Sequence, residues 1–405
     1  LNPTNQLEQK PARRLAEVFG AFLKLGLISF GGPVAHLGYF RNEFVGRRRW
    51  LDDAAYGDLV ALCQFLPGPA SSQAVFALGR QRAGWLGGAL ASCGFTLPSA
   101  VLMIAFGYGV TALGDLQHAG WLRGLKLAAV AVVAQAVWGM GRSLCPDRAR
   151  LTIALAAAAL LLLWPGALVQ VGVILGGGVV GWWLYRRAIP ASEPASRADW
   201  RRHLVAGGIL AVFFLLLAAL PVLAAATGRK DLAVIDSFYR AGSLVFGGGH
   251  VILPLLRAEV VPPGWVTDDT FLAGYGAAQA LPGPLFTFAG CLGTAIHPGP
   301  NAWAGGRGCL LAIFLPGWLL IAGALPFWQQ LRARSWAQAA LRGANAVGGG
   351  VLLAALYNPV WTESVTSAPA AATALAAFGL LQWWKCPPWL VVVLAAAAGQ
   401  WLPGW

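Results

Sequence analysis

The sequence predicts an all-α polytopic membrane protein built from two inverted-topology repeats with broken, re-entrant helices. Three observations predict it: composition, an internal duplication, and paired interruptions within apolar runs. Of 405 residues, 58% are hydrophobic and only 11% charged, with a mean hydropathy of +0.63. Trp85 to Gly109, Trp121 to Met140, Leu151 to Trp164, Ala167 to Tyr185, His203 to Ala226, Cys309 to Trp328 and Pro387 to Trp401 each reach or approach the roughly 20 residues that cross a hydrocarbon core.

Several function classes fall away on composition. A net charge of +13 would suggest nucleic acid in a soluble chain, but in a polytopic one basic residues collect in loops retained in the cytoplasm, so no nucleic-acid partner is expected. Cys63, Cys93, Cys145, Cys291, Cys309 and Cys386 form no CxxC pairs and read as packing residues. The histidines have no metal-ligand spacing. The reading is therefore no metal, no cofactor and no enzyme. The polar start of the chain lacks the basic, apolar, small-residue succession of a signal peptide.

The duplication is read by superposing Gly26 to Val45 on Gly242 to Val261. At an offset of 216, Phe30 meets Phe246, Gly31 and Gly32 meet Gly247 and Gly248, Arg41 meets Arg257 and Glu43 meets Glu259. At an offset of 215, Trp50 meets Trp265, Asp53 meets Asp268, Gln64 meets Gln279, and Leu66-Pro67-Gly68-Pro69 meets Leu281-Pro282-Gly283-Pro284. Arg123-Gly124 resembles Arg342-Gly343 further on. Shared charges and prolines in one order indicate a tandem duplication. The expected organisation is residues 1–186 as one transporter repeat, 187–227 as a cytoplasmic linker plus a connecting transmembrane helix, and 228–405 as the second repeat.

Charge sets the relative orientation. Arg47-Arg48-Arg49, Arg80 and Arg82 in the first copy face neutral VPPG and IHPG segments at the equivalent places in the second. The positive-inside rule then puts those loops on opposite sides, so the copies are inverted. Starting inside at Arg13-Arg14, with both broken segments of the first copy returning to the side they left, the connecting helix delivers the second copy to the outside. Arg123 and Lys126 fall near the external face in this scheme, against the rule.

Each copy carries two interruptions, FGG and PGP. Proline removes a backbone donor and glycine weakens a helix, so each interruption should join two half-helices through extended chain. Such chain must be buried in protein or line a wet cavity. Matched breaks in inverted repeats point to a transport site near the midplane. Half-helices starting after each PGP present free amides and a positive dipole end, which attract anions. The candidate substrate residues are Gly31, Gly32, Gln64, Pro67, Gly68, Pro69, Ser71 and Ser72 with Gly247, Gly248, Gln279, Pro282, Gly283, Pro284 and Thr287. The serines and threonine also suit plain helix capping. Arg41, Glu43, Arg257, Glu259, Arg123 and Arg342 are candidates for an anion path or coupling, or for interfacial ion pairs. His250 is a further candidate for titration during transport.

The blocks SFGGPVAHLGYFRNEFV, RRRWLDD and QFLPGPASSQ, with VFGGGHVILPLLRAEVV, GWVTDD and QALPGPLFTFAG, closely resemble the long, two-domain form of the chromate ion transporter family. The resemblance covers Phe19 to Tyr108 and Asp236 to Trp328. It implies a multi-pass carrier of the bacterial inner membrane with a cytoplasmic N-terminus, exporting chromate and conferring chromate resistance, with sulfate as a competing mimic. A sulfate carrier of the same fold, an intramembrane enzyme on a lipid phosphate and an anion channel are the alternatives. No GxxxxGK[ST] motif is present, so energy is expected from ion gradients. Beyond the lipid bilayer, a homodimeric assembly is left open.

Overall fold

The computed structural model describes residues 11–30, 32–112, 120–165, 167–186, 200–246, 249–296, 302–328 and 334–401. Among them the regular elements are all helical. Five helical stretches are long and apolar enough to span a membrane: Ala70–Val110, Gly120–Leu144, His203–Thr227, Ala302–Phe327 and Ser335–Trp361. Shorter apolar helices accompany them, so the chain is an all-α, multi-pass membrane protein.

The first copy opens with α1 (Pro11–Ile28), α2 (Gly32–Phe40, running on through a π-helical segment Arg41–Arg47), α3 (Asp53–Phe65) and α4 (Ala70–Ala112). Helix α4 is two helices in sequence. Ala83 and Gly84 are non-helical, and Gly79 lies against the carbonyl of Gly87. A straight helix rising about 1.5 Å per residue would hold those two roughly 12 Å apart, so the chain doubles back at Ala83–Gly84.

An ion-pair cluster shows where the pieces begin and end. Arg48, past the end of α2, holds Glu43 at 2.7 Å and Glu17 of α1 at 3.1 Å, and Arg82 at the α4 bend reaches Glu17 at 3.0 Å. The start of α1, the end of α2 and the end of the first half of α4 therefore share one face. Both broken segments of this copy return to the side they left. Phe22, Phe44 and Trp50 fill the space beneath the cluster, with ring centroids 4.8 Å and 4.5 Å apart. In lipid, where burial of apolar surface drives little, such close packing supplies most of the association.

The second copy repeats this plan with α9 (Lys230–Ser243), α10 (Ile252–Val260), α11 (Asp268–Ala280), α12 (Phe288–Ile296) and α13 (Ala302–Ala324). Lys230 at the start of α9 reaches the carbonyl of Ile296 at the end of α12, at 3.4 Å. Glu259 near the end of α10 accepts from Arg240 and Ser237 of α9, at 2.8 and 2.9 Å. Between the copies lies α8 (Trp200–Thr227), whose apolar residues mostly face outward. The linker residues 187–199 lie outside the described set.

The remaining helices are exchanged. The first copy ends with α5 (Gly120–Leu144), α6 (Arg148–Leu163) and α7 (Ala167–Tyr185), the second with α14 (Ser335–Ala355), α15 (Ala368–Gln382) and α16 (Pro388–Trp401). Helix α5 packs on α15 and α16, and α14 packs on α6 and α7. The duplicated Arg-Gly pair explains the match: Gly124 sits against the Ala395 carbonyl and Gly343 against that of Gly177. A side chain at either would meet backbone, so only glycine permits the approach. Asp147 caps α6 by accepting from the Arg150 amide at 2.9 Å, and also takes Arg150 Nε and the Tyr185 hydroxyl. These donors, the backbone amide foremost, hold its carboxyl below the usual carboxylate range.

Candidate functional site

The two PGP turns are built alike. Gly68 and Gly283 have φ of +114° and +100°, a region that L side chains rarely occupy. Each turn rests on the long helix of the other copy: Gly68 lies 3.5 Å, measured from where its Cβ would be, from the Cα of Gly317, and Gly283 lies similarly 2.8 Å from Ser99 Oγ. Both contacts come one residue after a proline inside that helix, Pro316 and Pro98.

The breaks are joined by a reciprocal pair of hydrogen bonds. The Gly68 amide donates to the Val245 carbonyl at 2.8 Å, and the Gly283 amide donates to the Ser29 carbonyl at 2.9 Å. Val245 and Ser29 are themselves equivalent at the offset of 216, so each PGP turn is tied to the FGG break of the other copy. The Gly68 and Gly283 amides are thus committed to protein. Ala70, Ser71 and Ser72 still supply the leading amides of a helix, which lack intrahelical acceptors.

Around these breaks lie buried polar atoms with no protein partner. They are Ser29 Oγ, His36 Nδ1, Ser72 Oγ, Gln73 Oε1 and Gln279 Nε2. Ser29, His36, Ser72 and Gln73 are each at most 4% exposed. Burying such atoms unpaired costs about 1–3 kcal/mol apiece, so each would gain from a polar partner such as water or a ligand. Of the neighbouring groups, His36 Nε2 lies 3.1 Å from the Ser29 carbonyl, Gln73 Nε2 donates to Pro67 O at 2.8 Å, and Thr287 Oγ1 donates to Pro284 O at 2.8 Å. Thr287 is therefore engaged in capping its own turn. His250 bonds Tyr275 through Nδ1 at 2.8 Å, and its Nε2 lies 3.9 Å from where a Gly32 side chain would begin.

The structure brings Gly32, Gly68, Ser71, Ser72, Gln279, Gly283, Thr287 and His250 to the two sets of breaks, together with the prolines Pro67, Pro69, Pro282 and Pro284. Gln64 is exposed at the end of α3. Gly31, Gly247 and Gly248 lie outside the described residues. The charged candidates go elsewhere. Arg41 pairs with Asp53 at 2.7 Å and Arg257 with Asp268 at 2.6 Å, Glu43 with Arg48 and Glu259 with Arg240. These pairs close each hairpin at its outer end. Arg342 stands over the Tyr185 ring at 5.9 Å. Lys126, which breaks the charge rule, has its explanation in Asp269 at 2.7 Å.

Sequence reasoning passed over Ser29, His36, Gln73, Ser99 and Tyr275. Ser29 and His36 flank the FGG break, and a search for polar residues within one turn of each break would have found both. Among the described residues no group of His, Cys, Asp and Glu is arranged to hold a metal.

Comparison with known proteins shows the family. A family described as Chromate transporter matches residues 16–182 and 232–400. A chromate transport protein of Pseudomonas aeruginosa is 30% identical, over 98% of this chain and 93% of its own. A probable chromate transport protein of Synechococcus elongatus is 28% identical over 97% of both, and a chromate transport protein of Cupriavidus metallidurans is 28% identical over 96% of this chain and 92% of its own. No solved structure matches.

Proposed function

The chain belongs to the chromate transporter family, and we propose that it exports chromate across the bacterial inner membrane as a gradient-driven carrier. The anion is held where the FGG and PGP breaks of the two copies cross. The observation that carries this reading is the reciprocal Gly68–Val245 and Gly283–Ser29 bonding, surrounded by unpartnered Ser29, Ser72, Gln73 and Gln279 atoms. Hydroxyl and amide donors with a helix N-terminus suit a tetrahedral oxyanion, which needs several hydrogen bonds from different directions. Sulfate has the same shape and charge and is expected to compete.

Inverted orientation of the copies is supported by the unequal charge of equivalent loops and by the exchanged packing of α5 and α14. With the N-terminus cytoplasmic, the Glu17–Arg48–Arg82 cluster marks the inner face and the Lys230–Ile296 contact the outer one. The charged pairs at the hairpin ends line the approaches to the site, and His250 beside Gly32 is placed to carry a coupling proton.

The test is uptake of radiolabelled chromate into everted vesicles with and without a proton gradient. Saturable, gradient-dependent accumulation inhibited by sulfate is the expected result. Ohmic, unsaturable flux would make the protein a channel, and no accumulation by folded protein would end the transport reading for chromate.

A further inference from the structure

Arg257 has surroundings that its counterpart lacks. A cavity of about 110 Å³ lies between the α6–α7 turn, α10 and the end of α14, with Arg257, Gln170, Asn358 and Ala258 on its wall. Taking roughly 30 Å³ per water, it has room for a tetrahedral oxyanion with a water. Gln170 is only 4% exposed, yet its Nε2 has no partner in the protein. A primary amide so buried and unpaired is costly and calls for an acceptor in the cavity it lines. Arg257 spends Nε and Nη2 on Asp268, which leaves Nη1 as a charged donor. Gln170 also stands in the first turn of α7, at the end where the helix dipole favours negative charge.

The matching residues of the other copy differ. At the offset of 219 that matches Arg123 with Arg342, the counterpart of Gln170 is Trp389, which packs near Phe30 with ring centroids 6.4 Å apart. Arg41 and Asp53 are more than half exposed, whereas Arg257 and Asp268 are about a quarter exposed. The cavity is therefore not a consequence of the duplication.

We infer that the Gln170–Arg257–Asn358 cavity is a second oxyanion subsite, on the external side of the path, receiving the anion released from the central breaks. The inference rests on the transport reading above for its direction, but not for its chemistry, which is that of a small divalent oxyanion held by a guanidinium and two amides. It gives the carrier a one-sided exit in which Gln170 and Asn358, residues that the repeats do not share, complete a shared arginine.

Equilibrium binding of radiolabelled chromate to the purified full chain in lipid nanodiscs tests it, with sulfate competition and a melting curve for each variant. Wild type is expected to bind two anions per chain. Gln170→Leu and the isosteric Gln170→Glu should weaken one of them at least tenfold, the second variant more, while Gly283→Leu and Ser72→Val should weaken the other. Two sites unchanged in both Gln170 variants would overturn the subsite. A single site sensitive only to Gly283 and Ser72 would overturn it and leave the central reading standing. A single site sensitive only to Gln170 would support the subsite and remove the central one, and no binding by folded protein would overturn both.

Discussion

Helices α3 and α11 are equivalent in sequence and differ in how they are held. Each follows an Arg–Asp clamp and ends at a PGP turn, yet α11 buries the continuous run Phe271 to Ala278, whereas α3 leaves Asp53, Ala55, Gly57, Asp58 and Gln64 exposed. The difference comes from their neighbours. Helix α11 lies against α5, α16 and α4, with Gly276 directly on the Leu125 carbonyl and Asp269 paired with Lys126. At the positions matching Gly276 and Asp269, α3 has Ala61 and Ala54, and the counterpart of Lys126 in the second copy is Asn345, so the glycine and both members of the ion pair are lost. A shared local grammar of breaks and clamps does not enforce shared packing, because packing is decided by the few residues that permit or forbid contact with a third element. In a carrier, such asymmetry between equivalent hairpins is what one side held shut and the other left accessible would look like.

The largest effect should come from wedging the tight side. Gly276→Leu must push α11 off α5, an overpacking that costs about 1–3 kcal/mol, and should abolish chromate uptake with a lower Tm. Gly57→Leu on the exposed face of α3, where nothing lies within 4 Å, should leave both within error. Equal damage from the two would show that the hairpins are held alike.

A smaller contrast is expected at the clamps. Arg257→Gln breaks a bidentate, half-buried pair and should cost about 1–2 kcal/mol, read as a lower Tm in detergent. Arg41→Gln removes a pair that is more than half exposed and should leave Tm unchanged. Matching losses would mean that α3 closes down in the membrane as α11 does.

Loosening the latch without deforming it should have the smallest energetic effect. Asp269→Asn removes the Lys126 partner and should cost less than about 1 kcal/mol. Labelling of Ala273→Cys, at a position 1% exposed, should nevertheless quicken by up to about fivefold as α11 opens more often, since a 1.4 kcal/mol change is tenfold in an opening equilibrium and about 1 kcal/mol is roughly fivefold. An unchanged labelling rate would assign the tight packing to Gly276 alone.

Much of the architecture was legible beforehand. The apolar runs, the duplication and the four interruptions are local properties of composition and of proline and glycine, and the structure places helix ends at FGG and PGP accordingly. The span Ser335–Trp361 was not legible as an apolar run, because Arg342 and a glycine series dilute it. Its charge is tolerated beside Tyr185, a partner more than 150 residues away in sequence. At the site, Ser72, Gln279 and the PGP glycines could be named from pattern. Ser29 and His36 stand close enough to the FGG break for pattern to find them, but only burial without partners sets them apart from ordinary polar neighbours.

By itself the sequence determined that this chain lives in a membrane, that it is written twice, and where its helices must break. Those outcomes follow from hydropathy and from backbone chemistry acting over a few residues. Only the tertiary structure decided that the Gly68 and Gly283 amides are spent on the opposite copy, that α5 and α14 exchange partners, that Arg41 and Arg257 are clamped by aspartates, and that Gln170 faces a cavity. Each depends on which distant segments meet, and hydrogen bonding and close packing act only on atoms already within a few ångströms of one another.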